Sequence, residues 1–137
     1  MSKIIALDFG LKRTGVAITD DLNIIALPLP TVESKVLMAF LKEIVVKEKI
    51  ETLVLGLPKR LNNENTHITE NVLLLKEALE KQFILLKVIL HDERFTSKMA
   101  SAAMHTAGAN KKQLKDKKLV DQVSATIILQ SFLAGKY

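Results

Sequence analysis

Asp8, Asp92, Glu93 and Asp121 are acids that stand directly beside the apolar runs of this 137-residue chain. Asp8 comes near the end of the run Lys3 to Phe9. Asp92 and Glu93 follow the run Ile84 to Leu90, and Asp121 opens a mostly apolar stretch that continues to Leu133. Carboxylates gathered in one place repel each other unless a cation sits among them. A ligand set made of oxygens suits a hard divalent ion, Mg²⁺ or Mn²⁺. Two such ions roughly 3.5–4 Å apart can activate a water and stabilise the leaving oxygen of a phosphodiester. Each acid also has a plainer reading. Asp8 could end a strand, Asp92 and Glu93 could be solvated loop charges, and Asp121 could cap a helix. The two readings differ in whether the fold brings the acids together.

The elements that would do so are legible in the periodicity. Lys3 to Phe9 is short and continuously apolar, as in a strand buried on both faces. Gly10 to Thr14 forms a turn, Gly15 to Thr19 a second strand, Asp20 to Asn23 another turn, and Ile24 to Leu27 a third strand. The three runs lie too close in sequence for helical crossovers, so they form an antiparallel meander. Pro28 and Pro30 end it. Ser34 caps a helix whose apolar face is Val36, Leu37, Phe40, Leu41, Ile44 and Val45 and which runs to about Lys49. Thr52 to Leu57 is a fourth strand, closed by Pro58 and followed by a polar loop from Lys59 to Asn65. Ile68, Val72, Leu75 and Leu79 mark a second helix, and Ile84 to Leu90 a fifth strand. Thr96 caps a third helix that Gly108 stops. A lysine-rich loop precedes the last helix, Leu119 to Leu133.

The order βββαβαβαα describes one α/β domain over residues 1–137. Its five-stranded mixed sheet has strands 1–3 as an antiparallel meander, strands 4 and 5 parallel to strand 1, and helices on both faces. This is the order of the RNase H-like fold. In it, Asp8 and the acids after strand 5 reach the carboxyl edge of the parallel strands, where open α/β sheets bind ligands. By alternation Asp8 shares a face with Ile4 and Ala6, and only one of Asp92 and Glu93 faces the same site. A final helix packed on the sheet brings Asp121 alongside, with Ser124 and Ala125 small enough for close approach.

Charge and composition narrow the partners. The net charge is +5 and the pI about 9.5, which suits a polyanion. The cations cluster as Lys12-Arg13, Lys59-Arg60 and the segment Lys111, Lys112, Lys115, Lys117 and Lys118. Of these, Lys12, Arg13, Lys59, Arg60, Lys111, Lys112 and Lys115 are candidates for contact with nucleic acid, their plain alternative being a solvated surface. Aromatic residues are only 4%, so backbone and shape contacts are expected to outweigh base stacking. The absence of cysteine excludes disulfides and thiolate chemistry and fits a reducing compartment. No signal-peptide core is visible and no apolar run nears the roughly 20 residues of a membrane span, so a cytoplasmic location is expected. His67, His91 and His105 have no metal-ligand spacing, and His91 is a minor candidate for the rim of the site. Gly10 to Gly15 lacks the Lys-Ser/Thr of a phosphate-binding P-loop.

Four segments in order resemble one family. Ala6-Leu7-Asp8-Phe9-Gly10-Leu11-Lys12-Arg13-Thr14-Gly15-Val16-Ala17, Leu55-Gly56-Leu57-Pro58, Asp92-Glu93-Arg94-Phe95-Thr96-Ser97, and Val120-Asp121 with Ser124-Ala125 and Ile127-Ile128-Leu129-Gln130 are similar to the motifs of the YqgF (RuvX) family of Holliday junction resolvase-like and ribosomal RNA processing nucleases. The resemblance implies that Asp8, Glu93 and Asp121 are the catalytic, metal-binding acids and that Mg²⁺ or Mn²⁺ is the cofactor. It also implies that Arg94 and Lys12-Arg13 flank the site and touch phosphates; the plain alternative for Arg94 is an ion pair with a neighbouring acid. The implied substrates are structured RNA, namely precursor small-subunit ribosomal RNA, or branched DNA such as Holliday junctions, with ribosome association. Two positions depart from the pattern. Asn62-Asn63 stand near the usual turn glycine, and Lys118 and Ser124 flank Asp121 where related resolvases carry a fourth acid. Two further functions fit less of the chain. One is a non-catalytic nucleic-acid-binding module, and the other a phosphotransferase of the actin-like superfold, which would need two such domains.

Overall fold

The backbone is built on a central strand, β1 (Lys3–Phe9), whose two faces are both covered. The computed structural model describes residues 2–58, 67–93 and 102–136, with the backbone alone at Pro58, His67, Glu93, Leu114, Lys115 and Lys136. After β1 come β2 (Arg13–Thr19), β3 (Ala26–Glu33), a 3₁₀ turn (Ser34–Val36), α1 (Leu37–Lys47), β4 (Ile50–Pro58), α2 (His67–Gln82) and β5 (Lys87–Glu93). A helical turn at residues 102–106 ends at Gly108, whose φ is +89°, and is followed by α3 (Lys111–Lys115) and α4 (Lys117–Lys136). The sheet order is β3-β2-β1-β4-β5, antiparallel among β1–β3 and parallel from β1 through β4 to β5. Among the described residues no helix is long and apolar enough to cross a membrane.

Period-two alternation divides the core in two. Ile5, Leu7, Val16, Ile18, Leu53 and Leu55 face α1 and α2, meeting Leu37, Leu41, Val72 and Leu79. Ile4, Ala6, Ala17, Ala26 and Val54 face α4, meeting Ala125, Ile128, Leu129 and Leu133. The second face is made of smaller side chains, and this lets the long helix lie close across β1, β2 and β3.

Four elements differ from the sequence reading, each for a local reason. β3 continues through Pro28 and Pro30 to Glu33. It is the edge strand, so a proline nitrogen can face outward without costing a ladder bond, and two such residues also discourage further strand pairing. β5 begins at Lys87 rather than Ile84, because α2 runs on to Gln82 and the next turn uses the apolar residues. Ile84 and Leu85 are 86% and 95% exposed. Ser34 does not cap α1; its hydroxyl donates to the Gly10 carbonyl and lies 2.9 Å from the Thr14 hydroxyl, tying the β1–β2 turn to the end of β3. The lysine-rich segment is not a loop. Asn110 and Gln113 form a reciprocal capping box that starts α3, and Asp116 Oδ1 accepts from the Lys118 and Leu119 amides to start α4. Thr96 and the loop after Pro58 lie outside the described residues.

Ser124 is fully buried on α4, and its hydroxyl has no hydrogen-bond partner among the described residues. An unmade bond of this kind costs on the order of 1–3 kcal/mol, and alanine is also the better helix former. Ser124→Ala is therefore expected to raise Tm by a few degrees in a thermal melt. An unchanged or lower Tm would show that the hydroxyl is satisfied after all.

Candidate active site

Asp8 sits one residue before the end of β1, half-buried, in the phase of Ile4 and Ala6 that faces α4. Its cross-strand partner is Gly15 on β2. The backbone of α4 rests on Gly15 at one residue: a Cβ on that glycine would overlap the Asp121 carbonyl group. Asp121 thus stands above the neighbour of Asp8, about one inter-strand spacing (~4.8 Å) to its side. Its carboxylate is turned toward the carboxyl edge of β1, where Arg13 opens β2. Arg13 Nε donates to Asp121 Oδ2 over 3.3 Å. Asp121 is the fifth residue of α4 and does not cap it; Asp116 holds that role.

β5 brings the third acid to the same edge. Leu7, Leu55 and Leu90 lie side by side across β1, β4 and β5. His91 opposes Gly56 and lies on the α4 side: its Nε2 is 2.9 Å from Ser131 Oγ, and its ring meets Phe132 edge-on at 6.0 Å. Glu93 opposes Pro58, two residues further on and in the phase of His91, whereas Asp92 is in the opposite phase beside Leu57. The backbone position of Glu93 is therefore about two strand spacings across from Asp8, ~10 Å, and two residues, ~7 Å, further along. The side chain of Glu93 lies outside the described residues, and among these no three acidic or histidine side chains converge on a point.

The basic candidates separate into three groups. Lys12 is exposed in the β1–β2 turn and Arg13 is beside Asp121. Lys111 and Lys112 are exposed on α3, and Lys115 is its last residue. Lys59, Arg60 and Arg94 lie outside the described residues. Two further cations stand near Arg13, namely Lys35 in the 3₁₀ turn, which the sequence did not single out, and Lys118 of the basic segment, at the start of α4.

Burial pushes the carboxyl of Asp121 above its usual 3.8, and the Arg13 hydrogen bond and charge, with Lys117, pull it back only in part. The folded-state value thus exceeds the unfolded one, so ionisation costs more in the fold than in the open chain. In chelator this contribution to stability is present below about pH 4 and is lost as pH rises through the raised value. Asp121→Asn should lack this component and be at least as stable as wild type at pH 7 without metal. Melts of both proteins in EDTA from pH 3.5 to 7 check it: parallel curves would show that burial of this carboxyl does not set the trend.

The residues fit a hard divalent cation. Asp8 and Asp121 would supply only oxygen ligands, the donor set of such an ion.

Comparison with known proteins finds one family and one shared fold. A family model described as "RuvX: Holliday junction resolvase" matches residues 2–135. A protein of Bacteroides thetaiotaomicron named "Putative pre-16S rRNA nuclease" is 46% identical over 136 residues, covering 99% of both chains. One of Flavobacterium psychrophilum with the same name is 43% identical over 136 residues at the same coverage. Among solved structures, Thermus thermophilus RuvC in complex with a Holliday junction substrate superposes with a TM-score of 0.58 at 11% identity, covering 99% of this chain and 96% of that one. A second Thermus thermophilus RuvC structure gives 0.55 at 12% identity, covering 98% and 96%. At these identities the likeness shows a shared fold.

Proposed function

The chain belongs to the RuvX family of Holliday junction resolvases, and on that footing we propose that it is a divalent-metal-dependent endonuclease acting on structured nucleic acid, with precursor 16S ribosomal RNA as its first substrate and branched DNA as the second. The observation that supports the proposal is the contact at Gly15, the cross-strand partner of Asp8, on which the Asp121 backbone rests. The names of the relatives support a ribosomal RNA substrate. Such a substrate implies work in the cytoplasm, in contact with ribosomal precursors.

Asp8 and Asp121, with Glu93 as the third acid, would hold Mg²⁺ or Mn²⁺. A pair of such ions supplies Lewis acidity to the attacking water and charge neutralisation to the leaving oxygen. The protein's own part is positional. β1 and α4 would hold the two acids, with the Asp121 backbone seated on Gly15, the cross-strand partner of Asp8. Arg13 holds the Asp121 carboxylate in place through its Nε–H, and its guanidinium, at the rim, suits a phosphate oxygen of the substrate. The test is cleavage of precursor 16S RNA, a four-way DNA junction and a simple duplex by wild type and by Asp8→Asn under one metal series. Cleavage of none of them by the wild type would favour a module that binds without cutting.

A further inference from the structure

Beside the acids, on the β3 side, Leu11, Lys12, Arg13, Glu33, Lys35 and Lys118 line a recess of about 460 Å³. Three separate elements meet there, and hydrogen bonds fix how they meet. The Ser34 amide donates to the Lys12 carbonyl over 2.9 Å, and the Ser34 hydroxyl donates to the Gly10 carbonyl, so the turn carrying Lys12 is fastened to the one carrying Lys35. The Thr31 hydroxyl donates to the Lys118 carbonyl over 2.7 Å, which fastens the start of α4 to β3. The lining carries four cationic side chains and one acid. That acid, Glu33, lies 3.3 Å from Lys35 Nζ, with the two side chains 64% and 78% exposed. An ion pair this open contributes little and yields readily to a stronger anion.

We propose that this recess is a binding subsite for a backbone phosphate of the nucleic-acid strand, next to the phosphate that lies over Asp8 and Asp121, with Lys35 and Lys118 as its principal contacts. The inference rests on the nuclease reading for the position of the reacting phosphate. Three features carry it. Arg13 lines the recess and also touches the Asp121 carboxylate, so the two places share a wall. The cations come from the β1–β2 turn, the 3₁₀ turn and α4, so they surround a small anion instead of forming a flat stripe. Leu11, 70% exposed at the same wall, gives an apolar surface that fits the face of a sugar ring; a site for free phosphate has no use for one. The subsite directs the strand across β2 toward the β3 edge of the sheet.

The test is binding in EDTA, where no cleavage occurs. The probe is a fluorescein-labelled RNA hairpin with a single-stranded flank, followed by anisotropy from 50 to 200 mM salt. Removing one lysine–phosphate interaction with a single strand should reduce the slope of log K against log salt by about 0.7. Lys35→Ala/Lys118→Ala is expected to lower the slope by at least that amount and to weaken binding about tenfold at 100 mM salt. Lys42→Ala/Lys47→Ala, an equal change of charge on exposed positions of α1, should leave the slope within error of wild type. Equal effects of the two pairs would overturn the subsite, since net charge alone would then explain both. Displacement of the hairpin by micromolar pyrophosphate would also overturn it, by showing a site for a free phosphate ligand. The nuclease reading is scored separately, by cleavage in Mg²⁺. Cleavage without a special effect of Lys35 and Lys118 removes the subsite alone, and the binding effect without any cleavage removes the nuclease alone.

Discussion

Asp8→Asn is expected to lower phosphodiester cleavage by about 10³-fold or more, ~4 kcal/mol at the transition state, while the protein stays folded. Asparagine keeps the size of the side chain and one acceptor oxygen, so the half-buried position at the end of β1 is still filled. It loses the negative charge, and a hard divalent cation depends on that charge. The loss should appear in a second measurement that does not involve catalysis. A ligand that binds only the folded state raises Tm as its concentration passes its Kd, by about 2.7 kcal/mol of stability at 100 times Kd. Millimolar Mn²⁺ should therefore raise the Tm of wild type and leave that of Asp8→Asn nearly unchanged. Equal cleavage by both proteins would remove Asp8 from the reaction. Equal shifts with Mn²⁺ would put the cation somewhere else.

Most of the topology could be read from the spacing of apolar runs. Lys3 to Phe9 read as a strand buried on both faces, and the short gaps after it as a meander. The phase of Asp8 followed from alternation and matches the face on which α4 lies. Failures came where local chemistry has two uses. Pro28 and Pro30 read as terminators, but the same residues are harmless on the outward side of an edge strand, and edge position is a property of the whole sheet. Ile84 and Leu85 read as the start of a strand from apolarity alone; the strand begins only where β4 offers its first partner, at Thr52 opposite Lys87. Asp121 read as the opening of its helix because Asp116, five residues earlier, was hidden among lysines. In the fold, Asp116 satisfies the free amides and leaves Asp121 available for Arg13. Lys35 had no motif around it and Lys118 read only as part of a basic segment; their grouping depends on Ser34 and Thr31 joining three elements across the chain. The resemblance to a family named the acids, but the contact at Gly15 that sets Asp121 beside Asp8 could not be seen without coordinates.

That contact makes Gly15→Ala the substitution with the largest expected cost to the fold. The new methyl group would occupy the place of the Asp121 carbonyl, which is backbone and cannot swing aside. Either α4 lifts from β2 or the strand bends, and each strips packing from Ala17, Ala125 and Ile128. Overpacking of this kind costs about 1–3 kcal/mol when side chains can adjust, and more is expected where a helix backbone blocks the way. We expect a loss of about 3 kcal/mol or more, a fall in Tm of roughly 10 °C. Gly56→Ala is the internal control. Its methyl group would press on the tip of the Ile128 side chain, which can turn, so about 1 kcal/mol is expected. The pair also separates two functions of the same contact. Below its melting point Gly15→Ala should bind Mn²⁺ and cleave less well than Gly56→Ala, because lifting α4 moves the Asp121 carboxylate away from Asp8, and displacements near 1 Å can cost about 10²-fold in rate. If Gly15→Ala melted like wild type, the close seat of α4 on β2 would be wrong. The distance between the two carboxylates, on which the proposed chemistry depends, would then have to be set by something else.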